Sequence, residues 1–261
     1  MKENSNIILT FLGEGISRIA LNDPSTYNAL SSKNINSLIN IFKSLNNDNK
    51  TKVIIIEGYG KGFSAGHDLK EVRSLKNKTK YKKLFNSCSK LMLEIIEGRK
   101  PVIAKVHGAA FAAGCQLVAS CDLAISSSDA IFATPGVNIG LFCSTPMVAV
   151  SRKVSRKKTM KMLLTGDPIN AEYAKEIGLI NDHYPISELE DEVLKLAKKI
   201  SSKSNLTIKI GKKAFYKQLE MPLSKAYKYT SKIMTENAMQ LDAEEGISAF
   251  LEKRKPNWKN K

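Results

Sequence analysis

The sequence predicts an α/β protein: a core of repeated β–β–α units, arranged as a spiral or a parallel sheet, followed by a helical C-terminal subdomain. Three observations lead there. The runs "KVIIIEG" (52–58) and "PVIAKVHG" (101–108) are nearly continuous in apolar residues, as strands buried on both faces are. Each is followed by small residues and then by helical patterning, the alternation of an α/β core. From residue 155 onward helix follows helix, punctuated by "TGDPINAEYAKEIGLI" and Pro222. The expected division is a core over 1–200 and a helical subdomain over 201–261.

The elements follow in order. Residues 7–12 and 16–21 are short apolar runs joined by "GEG", a hairpin signal. "NDPSTYNALSS" is a loop, and Ser31 or Ser32 can cap a helix reaching about residue 47. The strand at 52–58 leads into "YGKGFSAGHD" and then into helical patterning up to about residue 98. After the strand at 101–108, residues 113–120 form a short apolar helix and "CDLAISS" (121–127) returns to strand.

Composition excludes several classes. No apolar run reaches membrane-spanning length; Lys105, His107, Gln116 and Asp122 interrupt the most hydrophobic region. "MKENSNIILTF" lacks the pattern of a secretory signal, so a soluble cytoplasmic protein is expected. The four cysteines show no CxxC spacing and read as reduced, buried thiols. His67, His107 and His183 are scattered, so no metal site is expected. The net charge of +16, from 41 Lys+Arg against 25 Asp+Glu, suits a polyanion partner or a solvated surface. Clusters such as "RKVSRKK" (152–158) lack interleaved aromatic residues, which disfavours nucleic acid.

Two loops share one design: a buried strand, small residues, then a helix. They are "GFSAGHD" and "HGAAFAAG". Small residues let backbone N–H groups approach a ligand, and a helix N-terminus adds unpaired donors. Side by side, two such loops aim two N–H groups at one oxygen, an oxyanion hole.

On these residues the sequence resembles the enoyl-CoA hydratase/isomerase (crotonase) family over nearly its whole length. The matching stretches are "NDPSTYNALS", "GKGFSAGHDL", "PVIAKVHGAAFAAGCQLVASCDLAI", "FATPGVNIGL", "LLTGDPINAEYAKEIGLIN" and "FLEKRKP". The resemblance implies a crotonase-type spiral with a C-terminal trimerisation subdomain, a homo-trimer or hexamer, and no cofactor beyond an acyl-CoA substrate. It implies that the backbone N–H groups of His67 and Ala113 polarise the thioester carbonyl. CoA contacts are implied at Asn28, Ala29 and Leu30, at Ala65, Gly66, His67, Asp68 and Leu69, and at Lys253, which faces CoA phosphates often from a neighbouring subunit.

Hydratases of the family use two glutamates. The resemblance puts Gln116 and Gly136 in their places. An amide orients water but does not accept a proton at neutral pH, and each acid–base group contributes typically about 10²–10⁴-fold. Efficient hydration is therefore not expected without a substitute. Asn138, Cys143 and Ser144 stand near positions where relatives carry acids, and none is a carboxylate. Asp68 reads as a helix cap, and the His67 ring as a packed or solvated side chain. The expected function is an acyl-CoA-processing enzyme of fatty-acid or short-chain metabolism. The alternatives are a non-catalytic acyl-CoA binder and, on charge alone, an RNA-binding relative.

Overall fold

In the computed structural model, which describes residues 6–261, each strand run of the core continues into a second, shorter strand. The chain opens with the hairpin β1 (Ile7–Gly13) and β2 (Ile16–Leu21), then helix α1 (Ser32–Asn47), which the Ser31 hydroxyl caps by accepting the Asn34 N–H. Three units follow. The first is β3 (Val53–Gly58), β4 (Gly62–Ser64), α2 (Leu69–Leu75) and α3 (Lys78–Ile96). The second is β5 (Val102–Val106), β6 (Ala109–Phe111) and α4 (Ala113–Ser120). The third is β7 (Leu123–Ser127), β8 (Ile131–Ala133), α5 (Pro146–Val150) and α6 (Arg156–Thr165). Then come β9 (Ile169–Asn170), α7 (Ala171–Glu176), β10 (Asp182–Tyr184) and helices α8 (Ile186–Ser201), α9 (Asn205–Leu219), α10 (Leu223–Ala238) and α11 (Leu241–Leu251).

The long strands form a six-stranded sheet in the order β1-β2-β3-β5-β7-β10, parallel except for the opening hairpin. The short strands form a second sheet, β4-β6-β8-β9. Each unit thus gives one strand to each sheet, which is the spiral expected from the sequence. Alternate residues of β3 serve two cores, as the period of a strand demands. Ile54 and Ile56 join Leu38 and Phe42 of α1 and Leu91 of α3 on one face. Val53 and Ile55 pack with Leu189, Val193 and Ala197 of α8 on the other.

The region after residue 155 is not purely helical, because β9 and β10 close the edges of the two sheets. The expected helix before residue 98 is two helices, broken where Lys76 takes a left-handed conformation. The expected strand at 101–108 ends at Val106, and Gly108, with φ +56°, turns the chain into β6. Among the described residues no helix is long and apolar enough to cross a membrane.

Helices α9–α11 pack on one another. The Lys212 ammonium of α9 reaches into the core, donating to Asp122 Oδ2 at 2.6 Å and to the carbonyls of Ile95 and Lys100 at 2.8 Å each. The tail returns over the junction: Asp242 accepts the Ser204 hydroxyl and the N–H groups of Lys259 and Asn260, and the Trp258 indole donates to Ser202 O.

Candidate functional site

The two glycine-containing loops meet. Strand β4 delivers Ala65–His67 beside the start of α4, and the closeness is measured by what a side chain would strike. A Cβ on Gly66, whose φ is +90°, would stand 2.9 Å from Ala113 N and from Phe111 O. A Cβ on Gly114 would stand 2.3 Å from Ser64 O. Neither position admits a side chain while the backbones stay where they are.

The N–H directions follow from the pairing. His67 forms a lone parallel bridge with Leu30, in which the Leu30 N–H donates to Gly66 O at 2.7 Å. In such a bridge the N–H of His67 itself faces away from Leu30. Ala113 opens α4, so its N–H has no acceptor within the helix. The preceding residue, Ala112, sits at φ 48° and ψ −116° and offers no side-chain cap. The backbone donors of His67 and Ala113 lie on touching loops.

The His67 ring is mostly buried, edge-on to Phe85 of α3 with centroids 5.4 Å apart. Its Nε2 is buried without a hydrogen-bond partner. Burial pushes the imidazole below its usual pKa range, against the pull of the Glu71 carboxylate. Gln116 is also buried on α4, where its side-chain carbonyl accepts only a long contact from the Cys88 thiol at 3.9 Å. Cys88 lies three residues beyond Phe85 on α3, so His67 and Gln116 pack along the same helical face.

Position 136 is closed to side chains. A Cβ there would stand 2.3 Å from Leu141 O and 2.8 Å from Cys143 Sγ, which accepts the Gly136 N–H at 3.3 Å. Burial raises the Cys143 thiol despite that hydrogen bond, and pushes Cys88 and Cys115 up to about 12. All four cysteines are free and buried. Asp68 is the helix cap the sequence suggested, accepting the N–H groups of Lys70 and Glu71. Ser144 donates to Phe142 O, and Asn138 is exposed next to Gly166.

The other expected CoA positions divide. The Asn28 side chain is fully engaged: it accepts Asp23 N–H and donates to Tyr59 O and Gly62 O, at φ 56°. It latches the loops together. Ala29 and Leu30 are buried, whereas Ala65, Leu69 and Lys253 are exposed. Lys253 sits at φ 54° just beyond α11, distant in sequence from both loops. Residues that sequence reasoning did not single out include Phe85, Cys88 and Ser64. The Ser64 hydroxyl donates to Asn28 O and accepts Gly66 N–H. Its only sequence signal was a place inside "GFSAGHD".

Two clefts lie elsewhere. One of about 370 Å³ is lined by Met239, Gln240, Glu244, Ile247 and Ser248. The other, about 330 Å³, holds Arg18, Glu57, Lys105 and Glu190, in which Glu190 bridges both cations. Among the described residues no cluster of His, Cys, Asp and Glu could hold a metal ion.

Comparison with known proteins gives a consistent result. The model of the enoyl-CoA hydratase/isomerase family matches residues 12–261. The chain is 48% identical over 245 residues to human enoyl-CoA hydratase domain-containing protein 3, mitochondrial, covering 94% of this chain and 81% of that protein. The Danio rerio protein of that name is 46% identical, covering 99% and 89%. Among solved structures, the human protein superposes with a TM-score of 0.95 at 46% identity, covering 97% of this chain and 100% of that one. An enoyl-CoA hydratase of Mycobacterium smegmatis gives 0.96 at 43%, covering 98% and 99%. The motif set likewise resembles the domain-containing protein 3 branch.

These names correct one expectation. The human, rat and mouse relatives are called mitochondrial, which overturns the cytoplasmic assignment. The reason is simple: the absence of a secretory pattern does not separate cytoplasm from an organelle.

Proposed function

The chain belongs to the enoyl-CoA hydratase/isomerase family, and from that premise we propose that it binds an acyl-CoA thioester and stabilises its enolate. In this reading the thioester oxygen accepts the N–H groups of His67 and Ala113. One oxyanion donor of this kind is worth about 2.7–4 kcal/mol of transition-state stabilisation. The observation that carries the reading is the contact of Gly66 and Gly114 with the opposite loops, which brings those two donors together. CoA lies along Ala29–Leu30 and Ala65–Leu69, with Lys253 serving its phosphates across a subunit boundary. A core over 1–200 and a C-terminal subdomain over 201–261 that assembles a homo-trimer or hexamer belong to the same reading. So does a mitochondrial place in acyl-CoA metabolism.

Gln116 and Gly136 stand where the hydratase glutamates are expected, so ordinary hydration is not part of the proposal. That same pair favours a second reading, a binder of acyl-CoA without catalysis. The test is twofold: titration of hexanoyl-CoA onto the protein, and loss of enoyl-thioester absorbance with crotonyl-CoA and a medium-chain trans-2-enoyl-CoA. Saturable binding with hydration near background is expected. Absence of binding overturns the proposal, and hydration at ordinary enzymatic rates would show that another group replaces the carboxylates.

A further inference from the structure

The net charge of +16 is not spread evenly along the chain. Between Glu71 and Glu94 there is no Asp or Glu, and Arg73, Lys76, Lys78, Lys80, Lys82 and Lys83 crowd the end of α2 and the first turns of α3. These six cations are all exposed, and among the described residues none of them makes an ion pair. Exposed cations elsewhere have acids at hand, as Lys158 has Glu176, Lys175 has Asp182 and Arg254 has Glu245. Helix α1, packed beside α3, carries no acid and adds the exposed Lys33. Glu94 is paired with Lys43 at 3.6 Å, and Glu71 Oε2 accepts the Ser32 N–H at 2.8 Å.

The local structure fixes how these charges are presented. Lys76, at φ 40°, ends α2, and Asn77 caps α3 by accepting the N–H groups of Thr79 and Lys80. At about 100° per residue, Lys78, Lys82, Lys83 and Lys80 follow one another around the solvent side of α3, while Leu84, Cys88 and Leu91 take its buried side. The cations therefore surround a helix end as a knob and do not line a groove. Like charges held this close repel one another, and an opposing layer of anions relieves that repulsion.

We infer that this α2–α3 face docks the protein on an anionic phospholipid surface. The chemistry selects that partner. Five of the six cations are lysines, point charges without the planar fork that reads one carboxylate or phosphate. A nucleic-acid strand is gripped along a groove with aromatic faces for its bases; the aromatic residue among these cations, Tyr81, is stacked on Phe85 at 6.4 Å. Between Leu69 and Leu93 no large apolar side chain is exposed, so the face offers nothing to fill a pocket on a protein partner or to insert among acyl chains. A bilayer requires only several Lys or Arg within a Debye length of a plane of negative charge. The protein rests on such a surface without crossing it. Because α2 starts at Leu69, docking sets the Ala65–Leu69 loop beside the bilayer. The inference does not depend on the acyl-CoA reading, which hexanoyl-CoA binding tests separately.

The experiment is co-sedimentation of the full chain with vesicles of equal parts phosphatidylcholine and phosphatidylglycerol, against vesicles of phosphatidylcholine alone. Binding is expected to the mixed vesicles only, and to be lost as salt rises from about 0.1 to 1 M and the screening length shrinks from about 10 to 3 Å. Lys78→Gln, Lys80→Gln, Lys82→Gln and Lys83→Gln together are expected to weaken it by about 10²–10³-fold. The same four positions changed to Arg are expected to bind within a few-fold of wild type. A control removes the same charge elsewhere, with Gln at Lys157, Lys161, Lys199 and Lys203, all exposed on α6, on α8 or just beyond it. It is expected to keep most of the binding. Failure of the wild type to bind the mixed vesicles overturns the inference, as does equal binding to phosphatidylcholine alone. A control that loses as much as the α3 variant would show net charge at work and no docking face. Mixed-sequence RNA bound through the same lysines, with no binding to vesicles, would replace the bilayer by a nucleic acid.

Discussion

At the scale of the residue, the site is defined as much by what has no room as by what is present. Gly136 is buried under its own loop, with Leu141 O and Cys143 Sγ in the space of a Cβ. Replacing Gly136 with glutamate would therefore not restore a hydratase carboxylate; the loop from Val137 to Cys143 would have to move first. Gly136→Ala tests this. Overpacking of this kind costs typically about 1–3 kcal/mol, and the urea midpoint is expected to fall with an unchanged m-value. Gly211, in α9 with nothing within 4 Å of its Cβ position, is the control. Gly211→Ala is expected to stabilise by about 0.4–1 kcal/mol. Equal effects at the two positions would show that the 137–143 loop yields freely. Gln116→Glu alone places a carboxylate beside Cys88 in a buried setting, where desolvation raises its pKa toward the neutral acid.

At the scale of the element, one cation ties the last helices to the core. Lys212 is 6% exposed and Asp122 15%, and Asp122 also takes the Tyr216 hydroxyl at 2.9 Å and the Val102 N–H at 2.7 Å. Breaking a buried pair by removing one partner costs about 3–5 kcal/mol. Lys212→Met is expected to lose that much in urea unfolding and to speed proteolytic cleavage between α8 and α9; a loss under 1 kcal/mol would place the anchor elsewhere. None of this node was visible in the sequence, where Asp122 and Lys212 are 90 positions apart and each looks ordinary. Strands β3 and β5 were legible because continuous β-branched runs have few other destinations. The strands "GFS", "AAF" and "IFA" were not, since three residues carry no period and small residues no strand preference. The meeting of the two small-residue loops was legible from their glycines, while the orphaned His67 nitrogen and the closed position 136 depend on how distant loops settle.

At the scale of the whole molecule, the C-terminal helices expose several large apolar side chains. Phe250 is 82% exposed, Met239 80%, Leu223 75% and Leu251 73%. Large exposed apolar side chains grouped on neighbouring elements mark association surfaces. Charge acts the other way: each copy carries +16, so like copies repel. Salt screens that repulsion over about 8–10 Å near physiological strength and leaves apolar burial intact. The proposed homo-oligomer is therefore expected to tighten as salt rises from about 20 to 200 mM, the range over which binding to a nucleic acid would weaken steeply. Phe250→Glu is expected to shift the sedimentation-equilibrium mass toward one chain at every salt concentration. If Lys253 serves a CoA bound mainly by another copy, that variant also loses affinity for hexanoyl-CoA. Lys253→Ala is then expected to lose the same affinity while remaining assembled. A Phe250→Glu protein that stays assembled would move the interface off α11, and one that dissociates yet binds as before would place the whole CoA site within a single chain.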